Sequence, residues 1–192
     1  SVHNALGAIA VGLSLGISLA DCCDAMASAK GVKGRVEVVP TDGDYSIIID
    51  YSHKPGALET VLQTLRPVVK GRLVCLFGCG GDRDKVKRPI MGAIAADNSD
   101  FVIVTSDNPR TEEPEEIIRE IVAGMKNKRT PKKVICDREE AIHWAIDNAR
   151  PGDVILLAGK GHEDYQVVGH EKRHMDEREI VADWLEKRKQ RG

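Results

Sequence analysis

Short apolar runs alternate with amphipathic stretches from residue 35 onward. The runs have the length and the β-branched or aromatic content of strands, and they cover 36–39, 45–50, 73–77, 101–105, 133–136 and 154–158. Between them, apolar residues recur at helical spacing, as Leu58, Val61, Leu62 and Leu65 do. This alternation is typical of βαβ units, so the sequence predicts an α/β domain with a mostly parallel six-stranded sheet flanked by helices.

The first 30 residues follow a different pattern. Small residues surround a helical stripe of larger apolar side chains, which is formed by Ala5, Leu6, Ile9, Leu13 and Ile17. A helix that is apolar on all sides is usually buried, so we expect residues 1–20 to pack against a segment upstream of residue 1. The chain is therefore expected to be a fragment of a longer protein. A short second helix is predicted over 20–29.

Composition and charge narrow the class of protein. The 28 basic and 30 acidic residues nearly cancel, which argues against nucleic acid or an anionic membrane as a partner. The longest apolar segment, 5–20, is shorter than the roughly 20 residues that span a bilayer. The five cysteines are odd in number and form no C-x-x-C pair, which disfavours disulfides and a zinc site. A reducing, cytoplasmic location is expected.

Three strands of the predicted sheet, 73–77, 101–105 and 154–158, end in loops rich in glycine and charge. These loops are 78–84, 107–110 and 159–164. In a parallel sheet the carboxyl ends of the strands share one edge, where open α/β sheets bind their ligands. Any one of these loops could be an ordinary strand-to-helix connection, but three together favour a shared binding site.

The loop at 107–110 has the chemistry to recognise a small zwitterion. Pro109 restricts both its own backbone and that of Asn108. Arg110 offers a rigid fork of donors for a carboxylate, and Glu163 or Asp164 could receive an ammonium group. Taken alone, the same four residues could also form a simple turn with a solvated arginine.

Two neighbouring residues have further interpretations. Lys160, near the site, could neutralise a carboxylate or could be a solvated loop lysine. Cys79 is expected to be a loop thiol close enough to the site to react with alkylating reagents.

Four motifs in order resemble one family. They are DYSHKP at 50–55, FGCGGDRDK at 77–85 followed by KRP at 87–89, TSDNPRTEEP at 105–114, and AGKGHEDYQ at 158–166. Together they resemble the C-terminal domain of MurE-type Mur ligases, which implies a Rossmann-like fold over 34–192. NALGA at 4–8 resembles the end of the same family's central ATPase domain, which implies that 1–33 are the last helices of that domain.

The resemblance also implies a site. In the family the DNPR loop recognises meso-diaminopimelate as opposed to L-lysine, and the matching positions here are Arg83, Asp107, Asn108, Pro109, Arg110, Gly159 and Glu163. The positions that the resemblance places near the nucleotide are Asn4, Arg35, Asp50 and His53. It assigns no catalytic residue and no metal ligand within these 192 residues.

The implied activity is ATP-dependent amide formation with Mg²⁺, which adds meso-diaminopimelate to UDP-MurNAc-L-Ala-D-Glu in peptidoglycan synthesis. The UDP-MurNAc-dipeptide would bind through other domains. No G-x-x-x-x-G-K-[ST] loop occurs in the sequence, so we expect this chain to be inactive by itself. The alternative is a stand-alone amino-acid-binding or regulatory module derived from such a ligase.

Overall fold

The computed structural model describes residues 2–29 and 31–190. The chain divides into two compact units, with the boundary between Val32 and Lys33. Each unit is described by itself.

The first unit contains two helices, α1 (Val2–Ser14) and α2 (Leu19–Ser28). The expected continuation of the first helix to Ile17 and beyond is wrong, because the chain turns at Gly16, whose φ is +82°. Ser18 then caps α2, accepting a hydrogen bond from the Asp21 N–H at 3.1 Å. Most apolar side chains of α1 are exposed in this chain, and the packing of this helix against a segment upstream of residue 1 remains a prediction.

The second unit contains the predicted sheet. Its strands are β1 (Glu37–Val39), β2 (Ser46–Asp50), β3 (Leu73–Phe77), β4 (Phe101–Val104), β5 (Lys132–Val134) and β6 (Val154–Ala158). Its helices are α3 (Pro55–Leu65), a 3-10 turn over Arg66–Val68, α4 (Lys87–Asn98), α5 (Pro114–Ala123), α6 (Arg138–Asp147) and α7 (Glu177–Lys189). A separate hairpin is formed by β7 (Tyr165–Val168) and β8 (Glu171–His174).

The strands lie in the order β1-β2-β6-β3-β4-β5. All neighbouring pairs are parallel except β1 and β2, which confirms the mostly parallel six-stranded sheet. The last strand of the sheet in sequence therefore lies at its centre, with Leu156 between Ile48 of β2 and Cys75 of β3.

Alternating strand residues fill a separate core on each face of the sheet. On one face, Cys75 and Phe77 belong to a cluster that includes the apolar sides of α3, α4 and α5. On the other face, Val74 and Leu76 pack with α6 and α7. Both faces of the central strands are buried, so the carboxyl edge of the sheet is left for polar loops. Within the described residues, no helix is long and apolar enough to cross a bilayer.

Candidate functional site

The loops that follow β3, β4 and β6 meet around one cavity of about 600 Å³. These three strands are neighbours in the sheet, so the loops at their carboxyl ends lie side by side. Six of the seven residues predicted to bind the amino acid line the cavity: Arg83, Asp107, Asn108, Arg110, Gly159 and Glu163. Their roles remain predictions, but the chain brings them to one place.

One corner of the cavity is acidic. The Asn108 amide donates from Nδ2 to Oε2 of Glu163 at 2.9 Å, and the Tyr51 hydroxyl lies 3.4 Å from the other Glu163 oxygen. Burial, followed by the charge of Glu163, raises the pKa of Tyr51. Gly159 has a φ of +116°, and a Cβ there would lie 3.1 Å from Oδ2 of Asp107. This corner can receive a cation.

A basic corner adjoins the acidic one, since Nη1 of Arg110 lies 3.5 Å from the carbonyl of Asn108. Arg83 and Arg110 flank Gly80, since a Cβ at that glycine would lie 2.8 Å from Nη1 of Arg110 and 3.8 Å from Cγ of Arg83. Lys54 and Lys87 line the same cavity. Two guanidinium groups at one corner are suited to a carboxylate, which takes paired donors from arginine.

The hairpin β7–β8 holds Arg110 in an unusual backbone conformation. Arg110 has a φ of +53°, which few residues other than glycine adopt. Its N–H donates to the carbonyl of Val167 at 3.0 Å, and its carbonyl accepts from the N–H of Gly169 at 2.7 Å. Its Nη1 donates to the carbonyl of Gly81 at 2.8 Å. The backbone of Arg110 is thus held by one loop and its side chain by another.

Pro109 is the predicted site residue that does not line the cavity. Its carbonyl oxygen instead faces Gly81, where an added Cβ would lie only 1.8 Å away. The Gly81 N–H donates to the carbonyl of Asn108 at 2.9 Å. Pro109 therefore shapes the contact between two loops, and that contact requires glycine at position 81.

We expect Gly81→Ala to weaken amino-acid binding by more than roughly 10-fold and to lower the free energy of unfolding by about 1–3 kcal/mol, because the new methyl group forces the loops apart. Calorimetric titration and denaturant unfolding measure the two effects. Gly56→Ala is the matched control, since a Cβ at Gly56 meets nothing within 4 Å. Equal behaviour of the two variants would contradict the close-packing argument.

A buried arginine ties the same loops together from below. Arg88, at the start of α4, is fully buried and donates to both carboxylate oxygens of Glu112 at 2.9 Å. It also contacts Glu120 at 2.8 Å and the carbonyl of Gly80 at 3.2 Å. The paired guanidinium lowers the pKa of Glu112 to about 2, with a further contribution from the N–H of Asp82.

This pair predicts a pH dependence of stability. The ordinary pKa of Glu112 lies near 4.5 and is lowered to about 2 in the folded chain. The stabilisation, up to about 3 kcal/mol, is therefore present above the ordinary value and is lost as the pH falls toward 2. We expect the Glu112→Gln chain to have a lower free energy of unfolding than the unmodified chain at pH 7. The difference between the two chains should be smaller at pH 3.

Guanidinium unfolding at pH 7, 5 and 3 measures this difference. Glu116→Gln provides the control, because Glu116 makes only an exposed ion pair with Arg119. A Glu112→Gln deficit that stays constant over this range would contradict the assignment.

Three cationic side chains were not recognised as buried from the sequence: Arg88, Arg138 and Lys160. Arg88 lies in the KRP motif at 87–89 but received no role from it, and Arg138 carried no signal, because arginines on helices are usually solvated.

The interpretation of Lys160 as a solvated loop lysine is wrong, since its side chain is fully buried and does not line the cavity. The interpretation that it neutralises a carboxylate is confirmed, since its Nζ lies 3.7 Å from Asp107 and 3.6 Å from Glu163. The expected reactivity of Cys79 is also wrong, since Cys79 is buried and burial raises its pKa to about 12.

The four residues predicted to lie near a nucleotide are divided between the two units, with Asn4 in the first and the other three in the second. Asp50 is buried, and its two oxygens accept hydrogen bonds from the Val36 N–H and the Ser52 hydroxyl. His53 lines the cavity described above, and Arg35 lies over the Tyr51 ring at 5.1 Å. Asn4 lies on α1 and is exposed. The placement of these four residues near a nucleotide remains a prediction.

Among residues 2–29 and 31–190, no group of three or more His, Cys, Asp or Glu side chains is arranged to hold a metal ion.

Comparison with known families gives a direct result. Residues 34–161 match the family model described as "Mur ligase, glutamate ligase domain". The chain belongs to the Mur ligase family. The match covers more than half of the chain and includes β1 to β6, the loops at 78–84 and 107–110, and the first three residues of the loop at 159–164.

Individual relatives point to one branch of the family. The chain is 52% identical over 187 residues to a Synechocystis protein named UDP-N-acetylmuramoyl-L-alanyl-D-glutamate--2,6-diaminopimelate ligase, covering 96% of this chain and 37% of the relative. A solved structure of a ligase with the same name is 37% identical, with a TM-score of 0.76, over 98% of this chain and 38% of that one. The chain thus spans less than two fifths of the length of these Mur ligases.

A more distant solved structure shares the fold alone. It is a bifunctional folylpolyglutamate synthase/dihydrofolate synthase with Mn, AMPPNP and L-glutamate bound. It is 22% identical with a TM-score of 0.54, over 70% of this chain and 30% of that chain.

Proposed function

We propose that the second unit selects meso-diaminopimelate for a ligase that joins it to UDP-MurNAc-L-Ala-D-Glu in peptidoglycan synthesis. The charges that line the cavity carry the proposal: the carboxylates of Asp107 and Glu163 lie at one corner, and the guanidinium groups of Arg83 and Arg110 lie at the neighbouring one. Each end of meso-diaminopimelate has an ammonium and a carboxylate. L-lysine lacks the second carboxylate, so the arginine pair can distinguish the two.

The proposed roles follow from position. Glu163 and Asp107 receive the ammonium of one end, while Asn108 is held against Glu163 and completes the corner. Arg110 and Arg83 receive the carboxylate of that end. The amine at the other end of the molecule is then free to react. The names of the Synechocystis relative and of the solved ligase support this substrate.

ATP and Mg²⁺ are the proposed cofactors of the whole ligase. The family resemblance supports them, and the folylpolyglutamate synthase contains an ATP analogue with a metal ion. In this family ATP activates a carboxylate for amide formation. Since no phosphate-binding G-x-x-x-x-G-K-[ST] loop occurs in the sequence, we propose that these 192 residues bind the amino acid without catalysing ligation.

Calorimetric titration of the 192-residue chain tests the binding proposal. We expect meso-diaminopimelate to bind more tightly than L-lysine and Arg110→Ala to lose that preference. Arg119→Ala is the control, because Arg119 is exposed on α5 and away from the cavity. Equal affinity for the two amino acids, or no binding of either, would contradict the proposal.

A second assay tests the proposed inactivity. The chain is mixed with ATP, Mg²⁺, UDP-MurNAc-L-Ala-D-Glu and meso-diaminopimelate, and released phosphate is measured. We expect no release above background. Release that depends on both substrates would show that the chain ligates by itself and would also exclude the stand-alone binding module.

A further inference from the structure

The buried side chain of Lys160 lies directly behind the acidic corner of the cavity. It comes from the loop after β6 and has no exposed surface. Its Nζ donates to Oδ1 of Asn108 at 2.7 Å and to the main-chain carbonyl of Tyr165. A lysine ammonium is strongly hydrated, so its burial is costly unless the surrounding acceptors compensate.

Two carboxylates flank the same ammonium. Oδ1 of Asp107 lies 3.7 Å from Nζ of Lys160, and Oε2 of Glu163 lies 3.6 Å from it. Burial lowers the pKa of Lys160, and the two carboxylates oppose that effect. Two carboxylates and one ammonium leave a single net negative charge at this corner.

The Asn108 amide has only one orientation that satisfies its neighbours. Its Oδ1 accepts from Nζ of Lys160 and also from the N–H of Val167 at 2.9 Å. Both neighbours on that side are donors, so the amide nitrogen must face the other way. There it donates to Oε2 of Glu163 at 2.9 Å.

We propose that Lys160 is a positioning residue for amino-acid selection: it orients the Asn108 amide toward Glu163 and leaves one negative charge to receive one ligand ammonium. The inference about ligand binding rests on the proposed function, whereas the inference about Asn108 does not. The geometry explains why a lysine is buried at this position. Its charge acts through Asn108, Asp107 and Glu163 and not by contact with the ligand.

The test compares Lys160→Met with Lys126→Met in the full 192-residue chain. Lys126 follows α5, is exposed and lies outside the cavity. In the absence of ligand, the side-chain amide protons of Asn108 are followed by ¹H–¹⁵N NMR and assigned with Asn108→Asp. We expect Lys160→Met to speed their exchange with water at least roughly 10-fold while the backbone spectrum stays native, because the amide loses one of the three hydrogen bonds that hold its orientation.

The same variants are then titrated with meso-diaminopimelate. We expect Lys160→Met to weaken binding by roughly 10–100-fold and Lys126→Met to leave it unchanged. A folded Lys160→Met chain with unchanged Asn108 exchange, or with unchanged affinity, would overturn the proposal. If the unmodified chain binds no amino acid, the proposed function fails, but the ligand-free measurement still decides the role of Lys160 in orienting Asn108.

A measurement on the unmodified chain covers the case in which Lys160→Met does not fold. The ammonium protons of a buried, hydrogen-bonded lysine exchange slowly enough to give a ¹H–¹⁵N signal at neutral pH, unlike those of solvated lysines. We expect one such signal, assigned by its loss in Lys160→Arg. Its absence from the unmodified chain would overturn the proposal.

Discussion

Replacing both Arg83 and Arg110 by alanine is expected to reduce the preference for meso-diaminopimelate over L-lysine by roughly 10²–10⁴-fold. Each charge-assisted hydrogen bond to the extra carboxylate contributes about 1.5–3 kcal/mol, and every 1.4 kcal/mol is a factor of about ten in affinity. Both arginines flank Gly80 at the same corner of the cavity, so both can reach one carboxylate. L-lysine has no group at that corner, and its affinity should change little.

Dissociation constants for the two amino acids, measured by calorimetry on the same protein preparations, give this preference directly. Arg119→Ala/Arg129→Ala is the matched control, because it removes two exposed arginines outside the cavity. If the Arg83/Arg110 variant lost both ligands to the same extent, the arginines would be supporting the loops and not reading the carboxylate.

The second large effect concerns the buried pair of Arg138 and Glu177, whose side chains are both inaccessible to solvent. Arg138 donates to Glu177 from Nε at 2.9 Å and to the carbonyls of Ser106 and Ala158 at 3.3 and 2.9 Å. Those carbonyls lie at the ends of β4 and β6, where the binding loops begin. Arg138 therefore joins two loops through their backbones.

We expect Arg138→Met to lower the free energy of unfolding by about 3–5 kcal/mol, because Glu177 is then buried without its cation. Burial already raises the pKa of Glu177, an effect that Arg138 opposes. Without Arg138 that pKa rises further. A carboxyl whose pKa is raised in the folded chain contributes stability at a pH below its ordinary pKa, and this contribution is lost as the pH rises through the raised pKa. The loss in free energy of unfolding caused by Arg138→Met should therefore be smaller at pH 5 than at pH 7.

Denaturant unfolding of the Arg138→Met and unmodified chains at pH 5 and pH 7 measures this loss of stability. Arg138→Met/Glu177→Leu should recover part of the loss, since an apolar pair can replace a buried ion pair. Arg119→Met, at an exposed arginine, is the control for the substitution itself. An Arg138→Met deficit below about 1 kcal/mol would mean that the pair contributes no more than a surface contact.

The sheet and the meeting of three loops could be predicted because apolar runs mark buried strands and because parallel strands place their carboxyl ends on one edge. Interactions between distant residues could not. Lys160 lies in a glycine-rich loop that looks solvated, and its burial depends on Asn108, 52 residues earlier in the chain. Arg138 and Glu177 lie 39 residues apart, and no local pattern connects them.

The first helix shows that a local feature of the backbone can also escape prediction from the sequence. Its apolar pattern continues past Ser14, but Gly16 adopts a conformation that ends the helix, and hydrophobic periodicity cannot detect such a turn. The assignment of Asn4, Arg35 and Asp50 to a nucleotide site came from the family resemblance alone and remains a prediction.

The central position of β6 has a consequence for how the site forms. Because this strand lies between β2 and β3, those two strands have no shared partner until residues 154–158 have been synthesised. Pairing over such long separations in the chain makes folding slow. A nascent chain that ends before β6 would leave two open sheet edges and three unassembled loops, a state prone to aggregation. The binding site is therefore expected to assemble late, in the same step that closes the sheet.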